Sequence, residues 1–227
     1  AGLNERLRQQ MDLAAQANRD KSRFLAAASH DLRQPMHALS LFSGALEKRL
    51  AGSELQPLMQ NLNECVTSLD RSFNAMLDIS KLDAGVVEPT LHTFAIRDIF
   101  RRLHMHFGGQ AEASGLQLRF KPGGKMVTTD PQLLERVLGN IIQNAVKYTR
   151  EGGVVVVARS ASEGRLVNVE VWDTGVGIPE AELPRVFDEF YQIGAAERDG
   201  VMGLGLGLAI VARLARLLGA SVQVRSA

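Results

Sequence analysis

Four separated segments carry residue types suited to handling a phosphoryl group. In Ser29-His30-Asp31-Leu32-Arg33-Gln34-Pro35, a carboxylate adjoins an imidazole and can hold one ring nitrogen protonated, leaving the other as the better nucleophile. Asn140, Asn144 and Lys147 follow at i, i+4 and i+7, a narrow stripe on a helix. An amide oxygen is a hard ligand suited to Mg²⁺, and a lysine can hold phosphate as a point charge. Asparagine is a poor helix former, so two aligned in mid-helix ask for a reason. Asp173, before Gly175 and Gly177, offers an acceptor for an adenine amino group and would repel a guanine carbonyl. Gly203, Gly205 and Gly207 open an apolar helix starting at Leu208, and a glycine-rich helix start presents free amides to phosphate. The spacing is neither a dinucleotide fingerprint, since Leu208 stands where a glycine is needed, nor a Walker loop, since Gly-Lys-Ser/Thr is missing.

The elements that must position these residues fall into two halves. Residues 1–84 read as helix. Leu25, Ala28, Leu32, Pro35, Leu39, Phe42 and Leu46 alternate three and four apart, the seam of a coiled coil or four-helix bundle. With Leu25 at an a position, His30 and His37 both fall at the solvated f position; Asp31 favours His30, because His37 is followed by Ala38. Pro35 removes the helical partner of the Asp31 carbonyl, which predicts a local bend. Ala51-Gly52-Ser53 predicts a hairpin loop, and Leu55, Leu58, Leu62, Cys65, Leu69 and Met76 form a second stripe. Two helices cannot hide both stripes, so a homodimer pairing two hairpins into a four-helix bundle is expected. Cys65, the single cysteine, excludes an internal disulfide and is expected as a core thiol.

Residues 85–227 mix strands and helices, the pattern of a two-layer α+β sandwich. Amphipathic helices are predicted from Ile96 to Phe107 and after Asp130-Pro131, the latter with Leu134, Val137, Leu138, Ile141, Ile142 and Ala145 on its apolar face. Strands are predicted at Leu116–Phe120, Val154–Val157, Leu166–Trp172 and Val222–Val224. Lys81–Gly85 is the expected hinge. Twenty-six basic residues against 25 acidic ones give no basic excess for a nucleic-acid surface, and no apolar run is long enough to cross a bilayer. The opening at Ala1 in mid-pattern suggests a fragment with any sensor or membrane segment upstream.

Taken in order, these segments resemble the sensor histidine kinases of bacterial two-component systems over nearly the whole chain. Ser29–Pro35 is similar to the family's H box, which implies His30 as phospho-acceptor and Asp31 as its acidic partner. Asn140 to Tyr148 is similar to the N box, implying Mg²⁺ at Asn144 and phosphate contacts from Lys147, with Asn140 and Tyr148 in the same nucleotide site. Asp173–Gly177 resembles the G1 box, Phe187-Asp188-Glu189-Phe190-Tyr191 the F box beside the ATP lid, and Gly203–Leu208 the G2 box. The resemblance implies a helical dimerisation and phospho-acceptor domain over 1–84 and an ATP-binding catalytic domain over 85–227.

It also implies the activity: ATP-dependent phosphorylation of His30, then transfer to an aspartate on the receiver domain of a response regulator. The kinase core is expected in the cytoplasm, in a full-length protein that is either membrane-anchored or soluble, with no membrane contact of its own. Gln34 departs from the family's usual Thr or Asn, which orients water for dephosphorylating the partner. The Arg33-Gln34 pair resembles H boxes of hybrid kinases that carry a receiver domain. The family normally continues past Ala227 through another glycine turn and a last strand. Two alternatives stand beside this reading: a nucleotide-binding dimeric scaffold without phosphotransfer, and a gyrase-type ATPase, which has no need of an H box.

Overall fold

The computed structural model describes residues 6, 16, 34–35, 37–50, 52–161, 166–193 and 204–226. The chain divides into two compact units, Ala1–Val87 with Gly194–Leu206, and Glu88–Ile193 with Gly207–Ala227.

The first unit holds a helical hairpin. Helix α1, over residues 37–50, and helix α2, Gln56–Asp83, are joined by the expected turn, where Gly52 takes a φ of +80° that a side chain would oppose. The turn is stitched by Ser53 Oγ donating to the Leu50 carbonyl at 2.7 Å and by Gly52 N–H donating to Gln56 Oε1 at 2.8 Å. Between the helices the Ser43 hydroxyl, buried, donates to Asn63 Oδ1, and Asn63 Nδ2 donates to Glu47 at 2.6 Å. Helix α2 ends at the segment expected as a hinge: Gly85 is left-handed, and its N–H meets the Leu82 carbonyl at 3.1 Å.

The predicted stripes point outward on the single hairpin. Leu39, Phe42 and Leu46 of α1 are exposed, as are Leu58, Leu62, Leu69 and Met76 of α2. Cys65 is exposed with them, against the expectation of a core thiol. The α2 side chains buried within the hairpin are instead Met59, Val66, Leu77 and Ile79. The heptad stripe and the intramolecular face are therefore two different faces of one helix.

In the second unit, β1 (His92–Ala95) pairs antiparallel with β3 (Met126–Thr129). Strand β2 (Gln117–Lys121) lies parallel to β4 (Gly153–Ala161), and β4 pairs antiparallel with β5 (Leu166–Asp173). A parallel pair needs a crossover, and β3 with helix α4 (Pro131–Tyr148) lies in that connection. Helix α3 (Ile96–Ala113) sits beside α4 over the sheet. The inward alternation of Val154, Val156 and Ala158 packs with Phe100 and Leu103 of α3 and Ile142 and Val146 of α4. Phe100 and Phe120 rings lie 5.4 Å apart within this core. Its aliphatic and aromatic burial is the main stabilising term of the unit.

Helix α4 is rotated slightly from its predicted face: Leu133 and Val146 are buried, while Leu134 and Ile141 are only half-buried. Helix α5 spans Gly207–Leu217, close to the expected bounds. The predicted strand at Val222–Val224 is not formed; residues 220–226 are irregular. Alternation marks a pleated preference but cannot supply the neighbouring strand that pairs its backbone groups. Among the described residues, no helix is long and apolar enough to cross a membrane.

Candidate nucleotide-binding site

Helix α4 is the spine of the site, and its start is fixed by Asp130. Asp130 Oδ1 accepts from the N–H groups of Gln132 and Leu133, each at 2.9 Å, and Oδ2 accepts from Thr90 N–H at 2.8 Å. Burial pushes this carboxyl up, but the three backbone donors and the nearby charge of His92 outweigh it, so its pKa lies below the usual carboxylate value. A hollow at this end, lined by His92, Asp98, Arg102 and Glu135, is crossed by the Arg102–Glu135 pair at 2.8 Å. Along the helix Glu135 stands five residues, roughly 7.5 Å, before Asn140 and nine, roughly 13.5 Å, before Asn144.

Asn140 and Asn144 are half-buried on α4, one turn apart, and Asn140 Nδ2 donates back to the Arg136 carbonyl at 2.8 Å. The start of α5 rests against them: a Cβ on Gly207 would lie 3.5 Å from Asn140 Oδ1 and 3.7 Å from Asn144 Nδ2. The tertiary fold thus sets the N-terminal turn of α5, the positive end of its dipole, beside the two amide side chains. Gly205 has a φ of +70° just before it, and Leu208 follows, half-buried. Lys147 and Tyr148 are exposed at the last turn of α4, the ammonium 5.2 Å from the ring centroid.

The Asp173–Gly177 loop is tied to that same helix end. Val176 N–H donates to the Tyr148 carbonyl at 3.3 Å, and Asp173 Oδ1 accepts from Gly175 N–H at 2.9 Å. A Cβ on Gly175 would come within 2.7 Å of both the Tyr148 carbonyl oxygen and Asp173 Oδ1, so only glycine allows the approach. Gly177 takes a φ of +69°, and Ile178 N–H donates to Ser226 Oγ at 2.7 Å. Asp173 is exposed, with one oxygen aimed at its own loop.

Asn140, Asn144, Gly207, Tyr148, Asp173 and Gly175 are brought to one side and one end of α4. Phe187 lies on the flank of α5, lining a hollow with Ala212 and Arg216. Phe190 is exposed in the turn after the 3₁₀ helix Glu180–Arg185. His30, Asp31 and Gly203 fall outside the described residues.

Thr174 is a positioning residue that the sequence reading passed over. Its hydroxyl donates to the Glu151 carbonyl at 2.8 Å and lies 3.0 Å from the donating N–H of Gly153, holding the α4–β4 turn against the loop. A threonine after an aspartate at a strand end signals a side-chain turn, but not which distant backbone it will meet.

The residues present fit a magnesium–nucleotide: amide oxygens and a glycine-bounded helix start lie along one side of α4, and an exposed carboxylate and a lysine stand at its end. Fold and site define an ATP-binding lobe, and residues 129–227 match the family described as "Histidine kinase-, DNA gyrase B-, and HSP90-like ATPase". Residues 20–85 match the "His Kinase A (phospho-acceptor) domain". With both modules present in this order, the chain belongs to the sensor histidine kinases.

The virulence sensor protein BvgS of Bordetella bronchiseptica is 36% identical over 100% of this chain and 19% of its own length. The aerobic respiration control sensor protein ArcB of Escherichia coli (strain K12) is 31% identical over 99% of this chain and 29% of its own. An uncharacterized sensor-like histidine kinase of Rhizobium meliloti (strain 1021) is 33% identical over 99% of this chain and 45% of its own. The chain therefore spans less than half the length of these curated relatives. The crystal structure of full-length ShkA in complex with AMPPNP superposes with a TM-score of 0.70 at 30% identity, covering 86% of this chain and 41% of that one.

Proposed function

We propose that this chain is the kinase core of a two-component sensor, with residues 1–84 as dimerisation and phospho-acceptor domain and 85–227 as ATP-binding domain. The observation that carries the reading is the convergence on α4 of Asn140 and Asn144 with the α5 start at Gly207, and of the Asp173–Gly175 loop with Tyr148. Asp173 reads the adenine amino group, and Gly175 and Gly177 let the backbone close around the base. Asn140, Lys147, Tyr148 and the Gly203–Leu208 turn hold the phosphates, with Phe187 and Phe190 at the edge of the site. Asn144 would hold Mg²⁺, which when bound neutralises charge on the phosphate oxygens.

His30, with Asp31 holding the proton on one ring nitrogen, attacks the γ-phosphorus through the other. The P–N bond forms as the bond from γ-phosphorus to the bridging oxygen breaks, and ADP leaves with the electron pair. The phosphoryl group then passes to an aspartate of a response regulator. ThkA, a histidine kinase of similar fold (TM-score 0.54, 18% identity), has been solved in complex with the response regulator protein TrrA. The exposed apolar stripes of α1 and α2 support a homodimer through the hairpin, and the cytoplasm is its proposed place of action.

Incubation with γ-labelled ATP tests the reading. Acid-labile, alkali-stable label is expected, abolished by His30→Ala and retained in His37→Ala. A chain that binds ATP and stays unlabelled would be a scaffold instead. Asp173→Asn should weaken ATP binding; unchanged affinity would remove the adenine assignment.

A further inference from the structure

Phe190 is the one non-glycine residue among those described with positive φ, at +61°. For an aromatic L-residue this region is strained, because Cβ crowds the following carbonyl oxygen. Such a conformation persists only where the surroundings over-determine it. Both chain neighbours of Phe190 are held by arginines. On one side, Arg213 of α5 donates from Nη2 to Glu189 Oε1 and from Nη1 to the Ala209 carbonyl at 3.3 Å. The pair is partly shielded, the Arg213 side chain 23% exposed and that of Glu189 39%. On the other side, the Arg185 guanidinium stacks over the Tyr191 ring at 4.1 Å and pairs with Asp188 at 3.8 Å. Phe190 itself is left exposed, so its own packing does not explain its backbone.

We propose that Arg213 and Arg185 form a two-point clasp that holds Phe190 in its left-handed conformation and ties the Phe187–Tyr191 turn to α5. Arg213 lies six residues, roughly 9 Å, along α5 from the glycine turn proposed to hold phosphate. It is too remote to be a ligand group, yet it stands on the same rigid rod. The clasp ties the aromatic turn to the helix whose first residue, Gly207, rests against Asn140 and Asn144. Both arginines are positioning residues, and this functional consequence rests on the nucleotide site proposed above.

Two readouts test the clasp in the full chain. Arg213→Met and Glu189→Gln should each slow His30 labelling at saturating ATP about tenfold while changing the affinity for a fluorescent ATP analogue less than about twofold. Reversing the pair, Arg213→Glu with Glu189→Arg, should regain about half of the lost rate. The second readout does not depend on catalysis. Arg213→Met should lower the thermal midpoint, and the drop should shrink to under about half in a Phe190→Gly background, because glycine adopts positive φ without being held. An equal drop in both backgrounds would overturn the clasp, as would a rate loss that merely follows a loss of ATP affinity. If the wild-type chain binds no nucleotide, the proposed function fails, and the thermal comparison still decides the clasp.

Discussion

The hairpin and the α/β unit solve the burial problem in opposite ways. In the α/β unit Ile96, Ile99, Ile142, Val154 and Val156 are fully buried within one chain. In the hairpin Leu41, Phe42, Leu58 and Leu69 are more than half exposed, and the two helices are joined by a polar bridge from Ser43 through Asn63 to Glu47. One unit has a closed apolar core, while the other leaves apolar side chains exposed and uses hydrogen bonds to align its own helices. An amphipathic helix pair has too little interior to bury two stripes, whereas a sheet covered by two helices encloses its own.

The sharpest way to break this contrast is a matched pair of phenylalanine truncations. Phe100→Ala should destabilise the α/β unit by about 3–5 kcal/mol in denaturant melts. Phe42→Ala should change the unfolding of dilute protein by less than about 0.5 kcal/mol, and instead weaken self-association in sedimentation experiments. Equal destabilisation of dilute protein by both would mean that the hairpin is closed within one chain after all.

A smaller effect probes the polar bridge. Asn63→Ala strands the buried Ser43 hydroxyl and should cost about 1–2 kcal/mol, with most of it recovered when Ser43→Ala is added. No recovery in the double variant would assign the loss to helix packing instead.

Next comes the cap of α4, where Asp130→Ala should cost about 1 kcal/mol at neutral pH. The folded carboxyl titrates below its unfolded value, so its contribution is present above the unfolded pKa of about 3.9 and is lost as pH falls through the folded pKa. The stability gap between wild type and variant should therefore narrow in acid, and a gap independent of pH would mean the charge is not what caps the helix. Arg102→Ala should likewise cost under about 1 kcal/mol, because the Arg102–Glu135 pair is partly exposed to water.

Where sequence and structure part, the reason is a partner lying far along the chain. The heptad leucines of α2 were legible, but Cys65 among them is exposed on the single hairpin, because periodicity names a face without saying what covers it. The alternation Val222–Val224 was legible too, yet it forms no strand, since pairing depends on a neighbour. Phe190 gave no local signal of its left-handed backbone, and one of the two arginines proposed to hold it, Arg213, lies 23 residues on in α5.

Residue chemistry and period alone suggested the phosphoryl-handling set, and they determined the helical and mixed halves, the capping role of Asp130 and the two amides one turn apart on α4. These are local properties, set by side-chain type and by backbone bonds spanning a few residues. The fold alone decided that Gly207 rests against Asn140 and Asn144, that Val176 closes onto the end of α4, and that Thr174 joins two turns. Those contacts link segments far apart in the chain, and they exist only once apolar packing has brought α4, α5 and the β5 loop together.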